Sequence, residues 1–196
     1  MIYKGELIID ELSGDYSSPA CKLGRMVENG EIIRVRRGLY ETDPDTEPYV
    51  LAHLVCEPSY ISFDCALAYY DIIPERVVEI TCATFGKRKN KVFDTPFGRY
   101  SYSDIPKSAF DIGVDHGTMD GRDFFIATKE KAVCDKLYKM PPATSLKSFK
   151  EMMFEFLRMD EDEIFNLNRE TVESYCEVYR CTNVRNLHRL LEIGHA

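Results

Sequence analysis

Residues Ser18–Tyr40, with the sequence SPACKLGRMVENGEIIRVRRGLY, predict a short amphipathic helix that leads into a basic hairpin. Ser18 followed by Pro19 is typical of the start of a helix, and Gly30 is typical of the residue that ends one. The apolar face of this helix consists of Ala20, Leu23 and Val27. A polar stripe at the same spacing consists of Lys22, Arg25 and Asn29.

The second half of this stretch predicts two strands with a basic outer face. Ile33 and Val35 alternate with Arg34 and Arg36, so one face is buried and the other carries guanidinium groups. Gly38 suits the tight turn because it adopts a positive φ without strain. A polar helix followed by a basic two-stranded wing is typical of a winged helix that binds DNA.

This pattern predicts DNA contacts of two kinds. Cationic side chains on the wing neutralise phosphates, which gives salt-dependent affinity, whereas donors on the helix reach base edges. The predicted DNA-binding residues are Lys22, Arg25, Asn29, Arg34, Arg36 and Arg37. The alternative is that the wing arginines form the solvated edge of an ordinary hairpin.

The overall composition limits the possible partners. The chain has 196 residues and a net charge of −8, which argues against a protein that coats nucleic acid over its whole surface but permits a local basic patch. No signal peptide and no membrane-spanning run are expected, because the first residues are charged and the apolar runs are short. Seven scattered cysteines without a Cys-x-x-Cys pair predict reduced thiols in a cytoplasmic protein.

The order of patterns predicts an α+β chain in two parts. Residues 1–43 form the N-terminal winged helix-turn-helix, beginning with a helix over residues 2–13, and the polar segment Asp43–Pro48 is a linker. Residues 49–196 form a mixed α/β domain. Its sheet-containing part covers residues 58–127 and its helical half covers residues 128–196, with Thr128 as a helix cap.

Further charged residues have a structural and a functional interpretation. The run Lys87, Arg88, Lys89 and Lys91 is either a solvated loop or a surface for nucleic acid or an acidic partner. Lys131 and Asp135 are spaced to pair along a helix, and the alternative is that the start of this helix, including Lys129 and Lys131, belongs to a partner surface. Cys176, Cys181 and His188 are too loosely spaced for a metal site. The sequence thus predicts no catalytic residue, no metal and no cofactor.

Three segments resemble AbiEi-type antitoxins of bacterial abortive-infection (type IV) toxin–antitoxin systems and the transcriptional regulators related to them. Gly30–Tyr40 is similar to the family's wing, which ends in Arg-Gly-Val/Leu-Tyr. Tyr60–Tyr70 is similar to its Ser…Ala-Leu…Tyr/His-Gly-Leu helix, although Asp71-Ile72-Ile73 replaces the usual Gly-Leu-Ile. Ala127–Asp135 is similar to its Glu-Lys-Ala-Leu-x-Asp helix start. The resemblance covers about residues 17–140, and it departs from a full winged helix in having two helices before the wing instead of three.

This resemblance implies an antitoxin that also represses its own operon. The winged helix would bind operator DNA upstream of the gene, and the C-terminal domain would oppose a nucleotidyltransferase-like toxin encoded next to it. Neutralisation in that family occurs without a stable complex, so direct contact with the toxin is not implied. The predicted antitoxin or partner surface comprises Lys87, Arg88, Lys89, Lys91, Lys129 and Lys131. The alternatives are a stand-alone regulator whose second domain senses a ligand or dimerises, and an enzyme of unrecognised type.

Overall fold

The computed structural model describes residues 1–194, so the predicted domain 49–196 ends two residues beyond the described range. The chain is α+β, with helices packed against two sheets. The strands are β1 (Ile2–Lys4), β2 (Ile33–Arg36), β3 (Leu39–Glu41), β4 (Tyr60–Ile61), β5 (Ile80–Thr84), β6 (Lys91–Thr95), β7 (Gly98–Asp104), β8 (Val114–Met119) and β9 (Arg122–Ala127). The helices are α1 (Gly5–Ser13), α2 (Pro19–Glu28), α3 (Pro48–Val55), α4 (Phe63–Tyr69), α5 (Lys107–Phe110), α6 (Lys129–Lys139), α7 (Leu146–Lys150), α8 (Glu161–Phe165), α9 (Arg169–Tyr179) and α10 (Thr182–Gly194), with a π-helical turn at Glu151–Phe156.

The N-terminal unit, residues 2–41, contains a three-stranded antiparallel sheet in the order β1-β3-β2. The prediction of one helix over residues 2–13 is wrong at its start. Ile2–Lys4 is a strand, because it pairs with β3, which lies far along the sequence and leaves no local signal. Helices α1 and α2 follow in order, so two helices precede the hairpin, as the sequence predicts.

The predicted hairpin is confirmed in position and turn. Gly38 has a φ of +82°, and the register between β2 and β3 shifts between Arg34 and Arg36, as in a bulged hairpin. Val35 and Leu39 are buried. The alternation read from the sequence therefore places the apolar side chains inward.

The second sheet has six strands in the order β6-β7-β5-β4-β9-β8. Strands β6 and β7, β8 and β9, and β4 and β5 pair antiparallel, whereas β5–β7 and β4–β9 are parallel pairs. All six strands lie within the part predicted to contain the sheet, residues 58–127, so this prediction is confirmed. The β4–β9 pair joins segments that are more than 60 residues apart.

The two parts of the chain share one apolar core. Val35 and Leu39 of the hairpin belong to the same buried cluster as α3, the large sheet and the C-terminal helices. A second, smaller cluster of Ile8, Leu23, Ile32 and Tyr40 lies inside the N-terminal unit. The segment predicted as a linker therefore joins two parts that pack against each other. Within residues 1–194, no helix is both long and apolar enough to cross a membrane.

Candidate nucleic-acid interface

Helix α2 carries the predicted polar stripe on the side away from the core. Leu23 is buried in the small cluster, whereas Arg25 and Asn29 are exposed and Lys22 is partly covered. Ser18 occupies the cap position, but its side chain makes no capping hydrogen bond, so this detail of the prediction is wrong. Pro19 provides the fixed first turn. The helix thus begins and ends where the sequence indicates and presents the stripe to solvent.

Glu31 restrains both ends of this stripe. The Asn29 amide donates a 3.1 Å hydrogen bond to Glu31, and Lys22 Nζ lies 3.8 Å from the other carboxylate oxygen. Lys22 Nζ also lies 5.7 Å from the ring centroid of Tyr16. Exposed pairs of this kind are worth about 1 kcal/mol or less, so a phosphate can replace the carboxylate at small cost. Arg25, at the centre of the stripe, is exposed and does not share the contacts with Glu31.

The hairpin arginines fall into two groups. Arg34 and Arg37 are exposed, and the guanidinium carbon of Arg34 lies 5.7 Å from the Tyr40 ring centroid, which limits its orientations. Arg36 instead turns inward: it donates a 3.3 Å hydrogen bond to the Leu54 carbonyl oxygen at the end of α3 and a 3.2 Å bond to the Arg37 carbonyl oxygen. Arg36 therefore anchors the hairpin, whereas Arg34 and Arg37 are free to meet a ligand.

The basic loop, residues 86–91 between β5 and β6, is held in a defined shape. Asp104 accepts backbone N–H bonds from Lys87 at 3.1 Å and Arg88 at 2.7 Å, and Arg88 has a φ of +64°. Lys87 Nζ donates a 2.8 Å bond to the Glu57 carbonyl oxygen. The side chains of the remaining basic residues, Arg88, Lys89 and Lys91, are exposed. A carboxylate thus fixes the backbone while the cationic groups point to solvent.

The C-terminal end of α3 brings the hairpin and the basic loop together. Arg36 bonds the Leu54 carbonyl, Lys87 bonds the Glu57 carbonyl, and Lys4 Nζ lies 3.6 Å from the Glu57 carboxylate. Arg36 is favoured at Leu54 because the last carbonyl groups of a helix carry partial negative charge, whereas Lys87 and Lys4 bond Glu57, two residues beyond α3. Sequence analysis missed this convergence, because the carbonyl groups that cause it have no signature in the sequence.

A buried ion pair fixes the other edge of the N-terminal unit. Arg122 of the large sheet donates a 2.8 Å bond to Glu41 and a 3.0 Å bond to Thr46, and the N-terminal ammonium group also bonds Glu41. Burial raises the pKa of Glu41, but these bonds and those from the backbone of Asp43 and Thr42 outweigh it and lower the pKa to about 2. The predicted linker therefore carries specific contacts, and the hairpin has a fixed orientation relative to the large sheet.

Lys131 belongs to a buried network, and its assignment to a partner surface is wrong. Lys131 and Asp135 have no exposed side-chain surface, and Lys131 Nζ donates a 3.0 Å bond to Asp135, which confirms the predicted pairing along the helix. Asp135 also accepts bonds from Tyr60 at 3.0 Å, from Ser62 at 2.7 Å and from Tyr179. Burial lowers the pKa of Lys131, and Asp135 opposes this effect. The network ties α6 to β4 and α9, and solvent does not reach it.

The remaining predicted site residue is separate from the basic loop in its contacts. Lys129 pairs with Glu163 of α8, and its side chain is partly exposed. Thr128 caps α6 as predicted, since its hydroxyl accepts from the Lys131 backbone N–H at 3.4 Å. Among residues 1–194, no group of three or more His, Cys, Asp or Glu side chains is arranged to hold a metal ion.

No protein-family model matches this chain, and no curated protein matches it. The functional interpretation therefore depends on the arrangement of the basic hairpin, the helix α2 and the basic loop.

Proposed function

We propose that this protein is a DNA-binding regulator of its own operon and acts as an antitoxin, with the N-terminal unit as a winged helix. The observation that carries the proposal is the order β1-α1-α2-β2-β3 around a sheet paired β1-β3-β2, with the exposed cations on α2 and on the β2–β3 turn. A winged helix places its second motif helix in the major groove and its wing against the backbone.

The absence of a third helix before the wing does not remove the parts that touch DNA. Within residues 2–41, α1 and α2 correspond to the two helices of the helix-turn-helix, and β1 closes the sheet at its edge. The small cluster of Ile8, Leu23, Ile32 and Tyr40 holds them together. Packing of Val35 and Leu39 into the main core supplies the support that a first helix otherwise gives.

The exposed cationic side chains have two proposed roles. Some contact phosphates and position the protein on DNA, and others contact base edges and give sequence specificity. Arg34 and Arg37 on the wing are suited to phosphates, because they are exposed and need no particular base. Arg25 on α2 is suited to a base edge, since a guanidinium binds guanine O6 and N7 with two parallel bonds. Lys87 holds the basic loop at Glu57, just beyond the end of α3 that Arg36 bonds, so the exposed cations of the loop extend the positive surface beside the wing.

The antitoxin half of the proposal rests on the resemblance of three sequence segments to AbiEi-type antitoxins. The basic loop is its candidate surface, because Asp104 fixes the loop backbone and leaves Arg88, Lys89 and Lys91 exposed. A nucleotidyltransferase-like toxin acts on nucleic acid or nucleotides, so a basic surface suits a phosphate-bearing target shared with the toxin. No catalytic role is proposed for any residue.

Fluorescence anisotropy with a labelled duplex from upstream of the gene tests DNA binding. We expect the wild type to bind this duplex more tightly than a scrambled duplex of equal length at low salt. Arg25→Ala should reduce that preference by about 10-fold, the value of one good base contact. The matched control is Arg169→Ala, an exposed arginine on α9, which should change nothing. Equal affinity of the wild type for both duplexes, or no binding, contradicts the proposal.

Rescue of growing cells from the neighbouring toxin tests the antitoxin half separately. Reversal of Arg88, Lys89 and Lys91 to glutamate should reduce rescue and leave the fold unchanged, because these side chains are exposed. The control reverses Lys147 and Lys150 on α7, two exposed lysines away from the loop, and should leave rescue unchanged. Full rescue by the folded loop variant contradicts this role of the loop.

A further inference from the structure

A cleft of about 600 Å³ opens beside the C-terminal end of α3, between β4, α5 and the β8–β9 hairpin. This volume lies within the range of small-molecule sites in proteins. The lining residues that matter here are His53, Glu57, Ser59, Tyr60, Phe110, Asp111 and Phe125. The cleft involves none of the residues proposed to contact DNA, and its lining residues are up to 72 positions apart in sequence.

Two polar atoms in this cleft are buried and lack a hydrogen-bond partner. Ser59 is only 7% exposed, and neither its Oγ nor His53 Nδ1 makes a hydrogen bond within residues 1–194. A buried polar group without a partner loses its hydrogen bonds to water and gains none in return, so most such groups in folded proteins are satisfied. Both atoms belong to side chains that line the same cleft.

The walls of the cleft are aromatic. The Phe125 ring meets the His53 ring edge-to-face, with centroids 5.2 Å apart and an interplanar angle of 81°. On another side, the Phe110 and Tyr60 rings lie 5.2 Å apart. Phe110 is buried, whereas Phe125 remains half exposed. A flat ring system fits such walls, because aromatic groups prefer edge-to-face and offset contacts with one another.

The charge of the cleft is negative. Glu57 and Asp111 line it and are exposed at its mouth, and the lining contains no lysine or arginine. Lys4 Nζ, 3.6 Å from the Glu57 carboxylate, and Lys87 Nζ, bonded to the Glu57 carbonyl oxygen, offset the charge at Glu57, so Asp111 is the carboxylate of the lining that stays without a nearby cation among residues 1–194. Burial lowers the pKa of His53, so its ring is neutral and adds no positive charge. A cationic group is therefore favoured at the mouth, and an anionic one is disfavoured.

We propose that this cleft is a binding site for a small flat aromatic or heteroaromatic amine. The ring lies between Phe125 and the Tyr60–Phe110 pair. Its polar edge bonds Ser59 Oγ and His53 Nδ1, and its ammonium group faces Asp111. Such a site is independent of the DNA contacts proposed above and exists whether or not the protein binds DNA.

Tryptamine and indole-3-acetate test the proposal because they share a ring and differ in charge. Isothermal titration calorimetry and amide NMR shifts of the whole chain should show saturable tryptamine binding with Kd below about 1 mM, and binding of indole-3-acetate at least 10-fold weaker. Shifts should centre on residues around Phe125 and Ser59. Absence of saturable tryptamine binding, as expected for a crevice that holds only water, overturns the proposal, and so does equal binding of the two probes.

Two variants locate the site without disturbing the fold. Asp111→Asn should weaken tryptamine binding at least fivefold, whereas the matched control Asp115→Asn should change it less than twofold, because exposed Asp115 does not line the cleft. Ser59→Ala should weaken binding about threefold and leave the melting temperature unchanged or higher, since it removes an unpaired buried hydroxyl. Equal effects of the two aspartate variants, or unchanged binding in Ser59→Ala, overturn the assignment.

Discussion

Replacement of Lys131 by methionine tests the buried network at the centre of the C-terminal half. The change keeps most of the side-chain volume but removes the ammonium group that bonds Asp135 and Tyr179. Asp135 then remains fully buried with the hydroxyl groups of Ser62, Tyr60 and Tyr179 as its donors and no compensating cation.

The expected loss of stability is large because the Asp135 carboxylate stays buried without a compensating cation. Breaking a buried ion pair from one side costs about 3–5 kcal/mol, which for a chain of this size lowers the melting temperature by roughly 6–20 °C. The double variant Lys131→Met/Asp135→Asn should recover about 1–3 kcal/mol of that loss, since neither charge is then uncompensated. The control Lys129→Met removes a partly exposed pair with Glu163 and should cost about 1 kcal/mol or less.

Urea unfolding followed by circular dichroism measures these differences in the free energy of unfolding. The pH dependence of that free energy distinguishes the contribution of Lys131 from that of Asp135. In Asp135→Asn, burial of Lys131 is unopposed, so its folded-state pKa falls further below the unfolded value. The unfolded chain then binds more protons, and the free energy of unfolding rises with pH between 7 and 10 more steeply than in the wild type. A free energy for Lys131→Met within about 1 kcal/mol of the wild type refutes this account of the network.

Four further changes test other parts of the structure. Arg36→Ala should lower the free energy of unfolding by about 1–2 kcal/mol through the lost bond to the end of α3, whereas Arg34→Ala should change it by less than about 0.5 kcal/mol; urea unfolding compares them. The pKa of Glu41 is about 2 when folded and 4.5 in the free side chain, so its stabilisation of about 3 kcal/mol is full above pH 4.5 and is lost toward pH 2; acid unfolding of Glu41→Gln should lack this loss. A fragment covering residues 49–196 should unfold at a lower urea concentration than the whole chain, because the hairpin no longer packs in the shared core. Gly113→Ala should cost at least about 1–3 kcal/mol by thermal unfolding, since φ is +63° and an added Cβ meets a tyrosine hydroxyl at 2.1 Å.

Local patterns predicted much of the fold. The alternation around Val35, the turn at Gly38 and the cap at Thr128 depend on residues within a few positions of one another, and all three are present. The pairing of Lys131 with Asp135 also follows from spacing on one helix. Each of these features has its physical cause inside one element, where a sequence pattern records it.

Features that depend on distant partners could not be predicted. The sequence predicts Ile2–Lys4 as part of a helix. Its pairing with β3 depends on residues far along the chain, so no local pattern indicates a strand. The sequence predicts Arg36 as a DNA-binding residue of the wing, but its guanidinium group turns inward and bonds the Leu54 carbonyl oxygen at the end of α3. The sequence predicts that Lys131 pairs with Asp135 and leaves a partner surface as the alternative, because burial by Tyr60 and Tyr179, from two other elements, has no local signature.

The candidate sites show the same division. The exposed stripe on α2 and the basic loop were predictable, because charge runs on short segments are visible in the sequence. The cleft was not, since the parallel pairing of β4 with β9 brings Ser59 and Phe125 to one place. No spacing rule connects these residues, and their side-chain types are common in ordinary cores.

The salt dependence of DNA binding tests the central claim most directly. Each phosphate contact contributes about −0.9 to the slope of the logarithm of the binding constant against the logarithm of salt concentration. With the duplex from upstream of the gene, Arg34→Ala/Arg37→Ala should make that slope shallower by about 2, whereas Arg36→Ala should leave the slope unchanged because its guanidinium faces α3. An unchanged slope in the double variant, or no binding by the wild type at low salt, contradicts the assignment of this unit as a DNA-binding winged helix.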